Sequence, residues 1–180
     1  MDAPANNQNQ NAEKSLISTL IQDTLTLVIK LAVIFAVFWI MFHYVFGIHR
    51  CLSANMNPSI RDGDLVLSFR LDSSYNAGDI SVFSYQGQIL MARVVAVEGD
   101  TVDFDEVGLL INGARVQEDD IYFETTMFQE GVTFPVKVGK NQIFVLGDNR
   151  PRATDSRIFG CVDIKDAEGK VIGLLRRRSL

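Results

Sequence analysis

Two hydrophobic periods divide the chain. From Leu31 to Ile48 the run LAVIFAVFWIMFHYVFGI holds eighteen residues without a formal charge, the length a helix needs to cross a bilayer. The span is expected to begin near Leu25, with the Lys30 stem reaching back to one interface and Trp39, His43 and Tyr44 offering polar handles at the other. Upstream, Leu16, Leu20 and Leu27, with Ile17, Ile21 and Val28, recur at helical spacing, and no proline interrupts the chain between Ala5 and Met56. An amphipathic lead-in running into a transmembrane helix is therefore predicted over residues 15–50. Residues 1–14, rich in Asn, Gln and Ala without apolar periodicity, are expected to form a disordered polar tail.

Beyond the span the period shortens. Asp64–Phe69, Ile89–Val97, Leu109–Ile111, Val136–Val138 and Gln142–Leu146 are short alternating or β-branched runs. Asn57-Pro58, Asp62-Gly63, Gln86-Gly87, Glu98-Gly99, Asn112-Gly113 and Gly147-Asp148 punctuate them, and Asn112-Gly113 suits a two-residue hairpin that needs positive φ at both positions. The fold class predicted is mainly β, one domain over residues 51–180 tethered by one N-terminal transmembrane helix.

Composition narrows the function. The 17 basic and 22 acidic side chains give a net charge of −5, and residues 1–50 carry three of each sign, so the whole imbalance lies in the β domain. Mild acidity without a basic stripe excludes nucleic acid as partner. With two cysteines, Cys51 and Cys161, and no close Cys/His spacing, no metal site and no cofactor are expected, and a Cys51–Cys161 bridge stays open. Glu118-Asp119-Asp120 and Glu130 read as a solvated loop face or a surface that receives a basic partner, and Arg176-Arg177-Arg178 as a solubilising end or a contact to an anionic surface. A cleaved signal is disfavoured because no A-x-A follows the apolar run. Lys14 and Lys30 before the span, with Arg50 close after it, give little charge asymmetry, which favours a cytoplasmic N-terminus; the β domain is then expected outside the cell membrane.

One ordered set of short motifs remains. Ser53-x-Asn55-Met56-x-Pro58-Ser59 follows the span, Gly63-Asp64 opens a run, Arg93-Val94-Val95 leads to Gly99-Asp100, and Gly147-Asp148-Asn149-Arg150 precedes Asp155-Ser156-Arg157-x-Phe159-Gly160. Together they resemble type I signal peptidases, over the span and most of residues 52–162. The single span and the short stretch between Asp100 and Gly147 resemble the Gram-positive forms. The resemblance implies a membrane-tethered β fold that cleaves signal peptides with a serine nucleophile and a lysine base. It puts the serine at Asn55 and the lysine at Ala92, and a lysine-orienting hydroxyl at Ala153. An amide is no usable nucleophile and a methyl group accepts no proton. Three departures together suggest natural degeneration more than one deliberate inactivation.

Other positions match the family. The resemblance implies an oxyanion role for Ser53 and a structural ion pair for Asp155 and Arg157. It implies a pocket for small peptide side chains at Cys51, Met56, Ile60, Leu90 and Met91. No base is evident for Ser53, Ser59 or Ser156, and His43 and His49 are read as marking the membrane interface. Noncatalytic relatives in Gram-positive bacteria are associated with pilus assembly beside sortases and pilins. The resemblance thus implies an accessory or chaperone that binds a pilin or its extended or signal segment without cutting it, with a sortase as a further partner. The alternative is a working signal peptidase, or an inactivated form of one.

Overall fold

The computed structural model describes residues 4–118, 121–128 and 131–176, and the chain divides into two units, residues 1–43 and 44–180. In the first, helix α1 (Pro4–Ile40) continues into a π-helical turn, Met41–Val45. The stretch Leu16–Val45 is long and apolar enough to span a membrane. Thr24 and Thr26 donate their hydroxyls to the carbonyls of Leu20 and Gln22, at 2.8 and 2.7 Å, so neither polar group is left open on an apolar helix. The helix reaches back to Pro4, into the residues expected to be a disordered tail. Proline suits the first turn, where its missing N–H has no acceptor, and lengthening an existing helix avoids the cost of nucleation.

The β unit starts earlier than residue 51. Phe46–Arg50 forms strand β1, antiparallel to β2 (Leu65–Phe69), so the charge-free run ends as a strand and not as the last turn of the span. A short apolar run suits either state, and pairing decides it. Gly47 packs closely there: a Cβ would lie 2.5 Å from His49 Nε2 and 2.6 Å from Ser68 Oγ, so those side chains would have to shift.

The remaining strands are β3 (Ile80–Tyr85), β4 (Gln88–Val97), β5 (Thr101–Phe104), β6 (Leu109–Ile111), β7 (Ala114–Arg115), β8 (Val136–Lys137), β9 (Gln142–Leu146), β10 (Val162–Asp163) and β11 (Ala167–Leu175). A short helix, α2 (Ser156–Phe159), follows β9. Among them, a seven-stranded sheet has the order β1-β2-β11-β3-β4-β9-β10 and a four-stranded sheet the order β7-β6-β5-β8, every pairing antiparallel. Asn112 and Gly113 take φ of 54° and 79° in the β6–β7 hairpin, as the sequence predicts.

Strand β4 distributes the core. Leu90, Ala92 and Val94 pack with Tyr75, Phe83, Ile143 and Val145, while Met91 faces the opposite side with Cys51, Met56, Ile60, Val66 and Val82. The register with β9 shifts between Val94 and Ala96, which turns Ala96 toward a third cluster containing Val102, Leu109, Val138, Phe144 and Leu146. Each large aliphatic side chain so buried contributes about 1.5–3 kcal/mol. The two cysteines are free and sit in different clusters, so the open disulfide is not formed.

Candidate functional site

Three segments meet: residues 53–58 after β1, the first half of β4, and the loop 147–157 that leaves β9. The meeting is main chain to main chain. The Asn149 N–H donates to the Asn55 carbonyl at 2.9 Å, and the Asn149 side-chain amide donates to the Ala54 carbonyl at 3.0 Å. Gly147 lets the segments touch, because a Cβ there would lie 2.7 Å from the Asn55 oxygen and 2.4 Å from the Ala153 methyl.

Asn55 is not an idle side chain. Its Nδ2 donates to the Thr154 carbonyl at 3.0 Å, and its Oδ1 accepts from the Thr154 N–H at 3.2 Å. One amide thus closes a two-bond ring with a main-chain unit 99 residues away. A serine is too short to make both bonds from a single hydroxyl. Asn55, Ala92 and Ala153 are all buried, so the positions implied for nucleophile, base and orienting hydroxyl lie inside the protein packing.

The Ala92 methyl is fully buried against apolar neighbours. Its cross-strand partner is Ser81 of β3, and the partner of Ser81 on β11 is Lys170, so one lysine does stand in the same row. It is no substitute base. Although burial acts to lower its pKa, Asp79 at 2.9 Å and Asp72 at 3.1 Å raise it on balance and keep the ammonium charged. Gln88 to Ala92 pairs with β3 on one side, while pairing with β9 begins at Arg93. The other edge of this half-strand therefore has no strand partner among the described residues.

Arginines fasten the surrounding loop. Arg93 of β4 grips Asp148 with two bonds, 2.9 and 2.6 Å, the carboxylate being nearly inaccessible. Arg157 does the same to Asp155, at 3.0 and 2.7 Å, and Asp155 also accepts the N–H groups of Gly147 and Arg157. The structural pair read from the sequence thus ties the start of the loop to α2. The fully buried Arg150 takes Glu118, at 2.6 Å to Oε1, and Thr125, while Arg157 also bonds the Thr126 carbonyl at 2.9 Å. Glu118 is consequently not part of a solvated acidic face. Asp119, Asp120 and Glu130 lie outside the described residues, as do Arg177 and Arg178, whereas Arg176 binds Asp64 at 3.2 Å and the Ser59 carbonyl at 2.8 Å. Nothing in the sequence pattern signalled the Glu118–Arg150 or Arg93–Asp148 pairings, which join distant segments.

The candidate pocket residues are all buried, in two clusters. Cys51, Met56, Ile60 and Met91 do come together, but as tightly buried core, and Leu90 points to the opposite face of β4. Alternation along a strand separates adjacent residues by necessity. An open cleft of about 500 Å³ lies instead beside Asn57, between Pro58, Pro151, Arg152, Tyr122 and Phe123, with Asn149 at its wall. Ser53 is half-buried two residues before Asn55, and the Cys51 thiol donates to its carbonyl at 3.2 Å.

Another serine lies beside a histidine, and its hydroxyl donates to a main-chain carbonyl: Ser68 Oγ to Gly47 at 3.4 Å. His49 Nε2 lies 3.1 Å from Ser68 Oγ, and its Nδ1 3.7 Å from Glu168, so His49 belongs to a polar cluster in the sheet. This cluster is closed to substrate, since Ser68 is fully buried.

Comparison with known proteins follows the same lines. A family model described as signal peptidase, peptidase S26, matches residues 23–175. Signal peptidase IB of Staphylococcus aureus is 27% identical over 169 residues, covering 83% of this chain and 88% of the relative. Signal peptidase I of Bacillus amyloliquefaciens is 29% identical over 138 residues, covering 72% and 74%. A crystal structure of a signal peptidase I from Enterococcus faecalis is 32% identical, with a TM-score of 0.49, covering 56% of this chain and 97% of that one.

Proposed function

The chain belongs to the signal peptidase family, peptidase S26, and we propose that it acts there as a non-cleaving member that holds an extended peptide at the membrane. The observation that carries the proposal is the Asn55 clasp: the position implied for the nucleophile is filled by an amide already committed to Thr154. Ala92, buried among apolar side chains at the position implied for the base, supports it. The unpartnered edge of Gln88–Ala92 favours capture by strand addition, in which main-chain bonds supply affinity.

The same reading places the N-terminus in the cytoplasm, one span in the membrane and the β domain outside. It assigns the bound peptide to a pilin or its signal segment, and the chain to pilus assembly as an accessory or chaperone beside a sortase. That setting rests on the resemblance to noncatalytic relatives. A second reading, an active signal peptidase, is favoured by the names of the relatives above. Photo-crosslinking separates the binding claim from chance contact. A photoreactive residue at the exposed position Ile89 should capture pilin-derived peptide, and competition by unlabelled peptide should abolish the adduct. An adduct insensitive to competitor, or none, would remove peptide binding from the account.

A further inference from the structure

The cleft beside Asn57 has a composition that the clasp does not explain. The loop that forms one wall carries three arginines within eight residues, and two of them, Arg150 and Arg157, are buried and paired. Arg152 is exposed, lines the cleft and makes no ion pair among the described residues. A guanidinium is a rigid fork of donors matched to a carboxylate. Around it stand two prolines and the rings of Tyr122 and Phe123, 79% and 44% exposed. Solvent-facing aromatic rings next to an uncommitted arginine are the composition of a recognition surface more than of a loop end.

Tyr122 and Phe123 lie between Glu118 and Thr126, which Arg150 and Arg157 bond. The cleft is continuous with the clasp, because Asn149 lines it while bonding Asn55 and Ala54, and Asn57-Pro58 follow Asn55 two residues on.

We propose that this cleft is a second subsite for the same peptide, taking a segment that carries a carboxylate side chain beside an aromatic or apolar one. Arg152 supplies the charge, and Tyr122, Phe123, Pro58 and Pro151 the apolar walls. The proposal rests on the peptide-binding reading above.

Two fluorescein-labelled extended peptides, identical except for Glu-Phe against Gln-Phe in one half, test it by anisotropy with the full chain in detergent micelles. The Glu peptide should bind about three- to tenfold more tightly, the range of a partly shielded ion pair. Arg152→Gln should erase that difference by weakening the Glu peptide more than the Gln peptide, and Phe123→Ala should weaken both peptides. Equal affinities in the parent chain, or a Glu preference that survives Arg152→Gln, would overturn the subsite and leave peptide binding standing. Binding of neither peptide would overturn the peptide-binding reading, and the subsite with it.

Discussion

Replacing Asn55 by alanine removes both bonds to Thr154 and puts nothing in their place. Each neutral hydrogen bond contributes about 1 kcal/mol net, so the loop 147–157 should lose about 2 kcal/mol of local stability. Asn55→Ser can restore at most one bond and should lose about 1–2 kcal/mol by the same measure. Asn55→Asp should be worse than either, because a carboxylate oxygen then faces the Thr154 carbonyl where the amide N–H stood. The single tryptophan, Trp39, lies in the apolar helix and reports nothing of this loop. Hydrogen exchange at the Thr154 amide does, since that N–H donates to Asn55. A local loss of about 2 kcal/mol speeds its exchange roughly thirtyfold, at about 1.4 kcal/mol per factor of ten. Distant amides, such as those of β6, should not change. Exchange at Thr154 that is the same in Asn55→Ala as in the parent chain would refute the clasp.

Ala92→Lys alone should destabilise the β unit by several kcal/mol, on the order of 3–5 as for an uncompensated buried charge, read from the denaturant midpoint by circular dichroism. Gly147→Ala should cost about 3 kcal/mol, the upper part of the overpacking range, since its Cβ meets the Asn55 main chain; an unchanged midpoint would show that the segments can part freely. Burial lowers the His49 pKa from its ordinary 6.5; Glu168 acts to raise it and Arg70 to lower it. The folded state therefore binds fewer protons than the unfolded one, and the His49 contribution is full above 6.5 and declines as pH falls from there through the folded value. His49→Gln should flatten the fall in stability between about pH 7.5 and pH 5 that this histidine window predicts, and an identical slope in both proteins would count against it.

The mainly β class and the positions of β2, β4, β6, β8 and β9 were legible because alternation and turn residues mark them locally. Strand β1 was not, since its apolar residues continue the span without a break in composition. Strand β11 was hidden by Gly169 and Gly173 and by register shifts on both of its sides. At the site, residue identity carried the expectation for Asn55 and Ala92, because nucleophilicity and basicity are properties of functional groups. What Asn55 does instead was invisible, because its partner is a main-chain unit 99 residues away. The separation of the candidate pocket residues has a related reason: adjacency of Leu90 and Met91 in sequence places them on opposite faces of a strand.

Turnover of a preprotein by the purified full chain in detergent tests the central claim most directly. The parent chain should release no signal peptide above the blank. Asn55→Ser with Ala92→Lys should release it where neither single change does, because nucleophile and base act as a unit. Cleavage at the signal site by the parent chain, lost when Ser53 is replaced by alanine, would contradict the account.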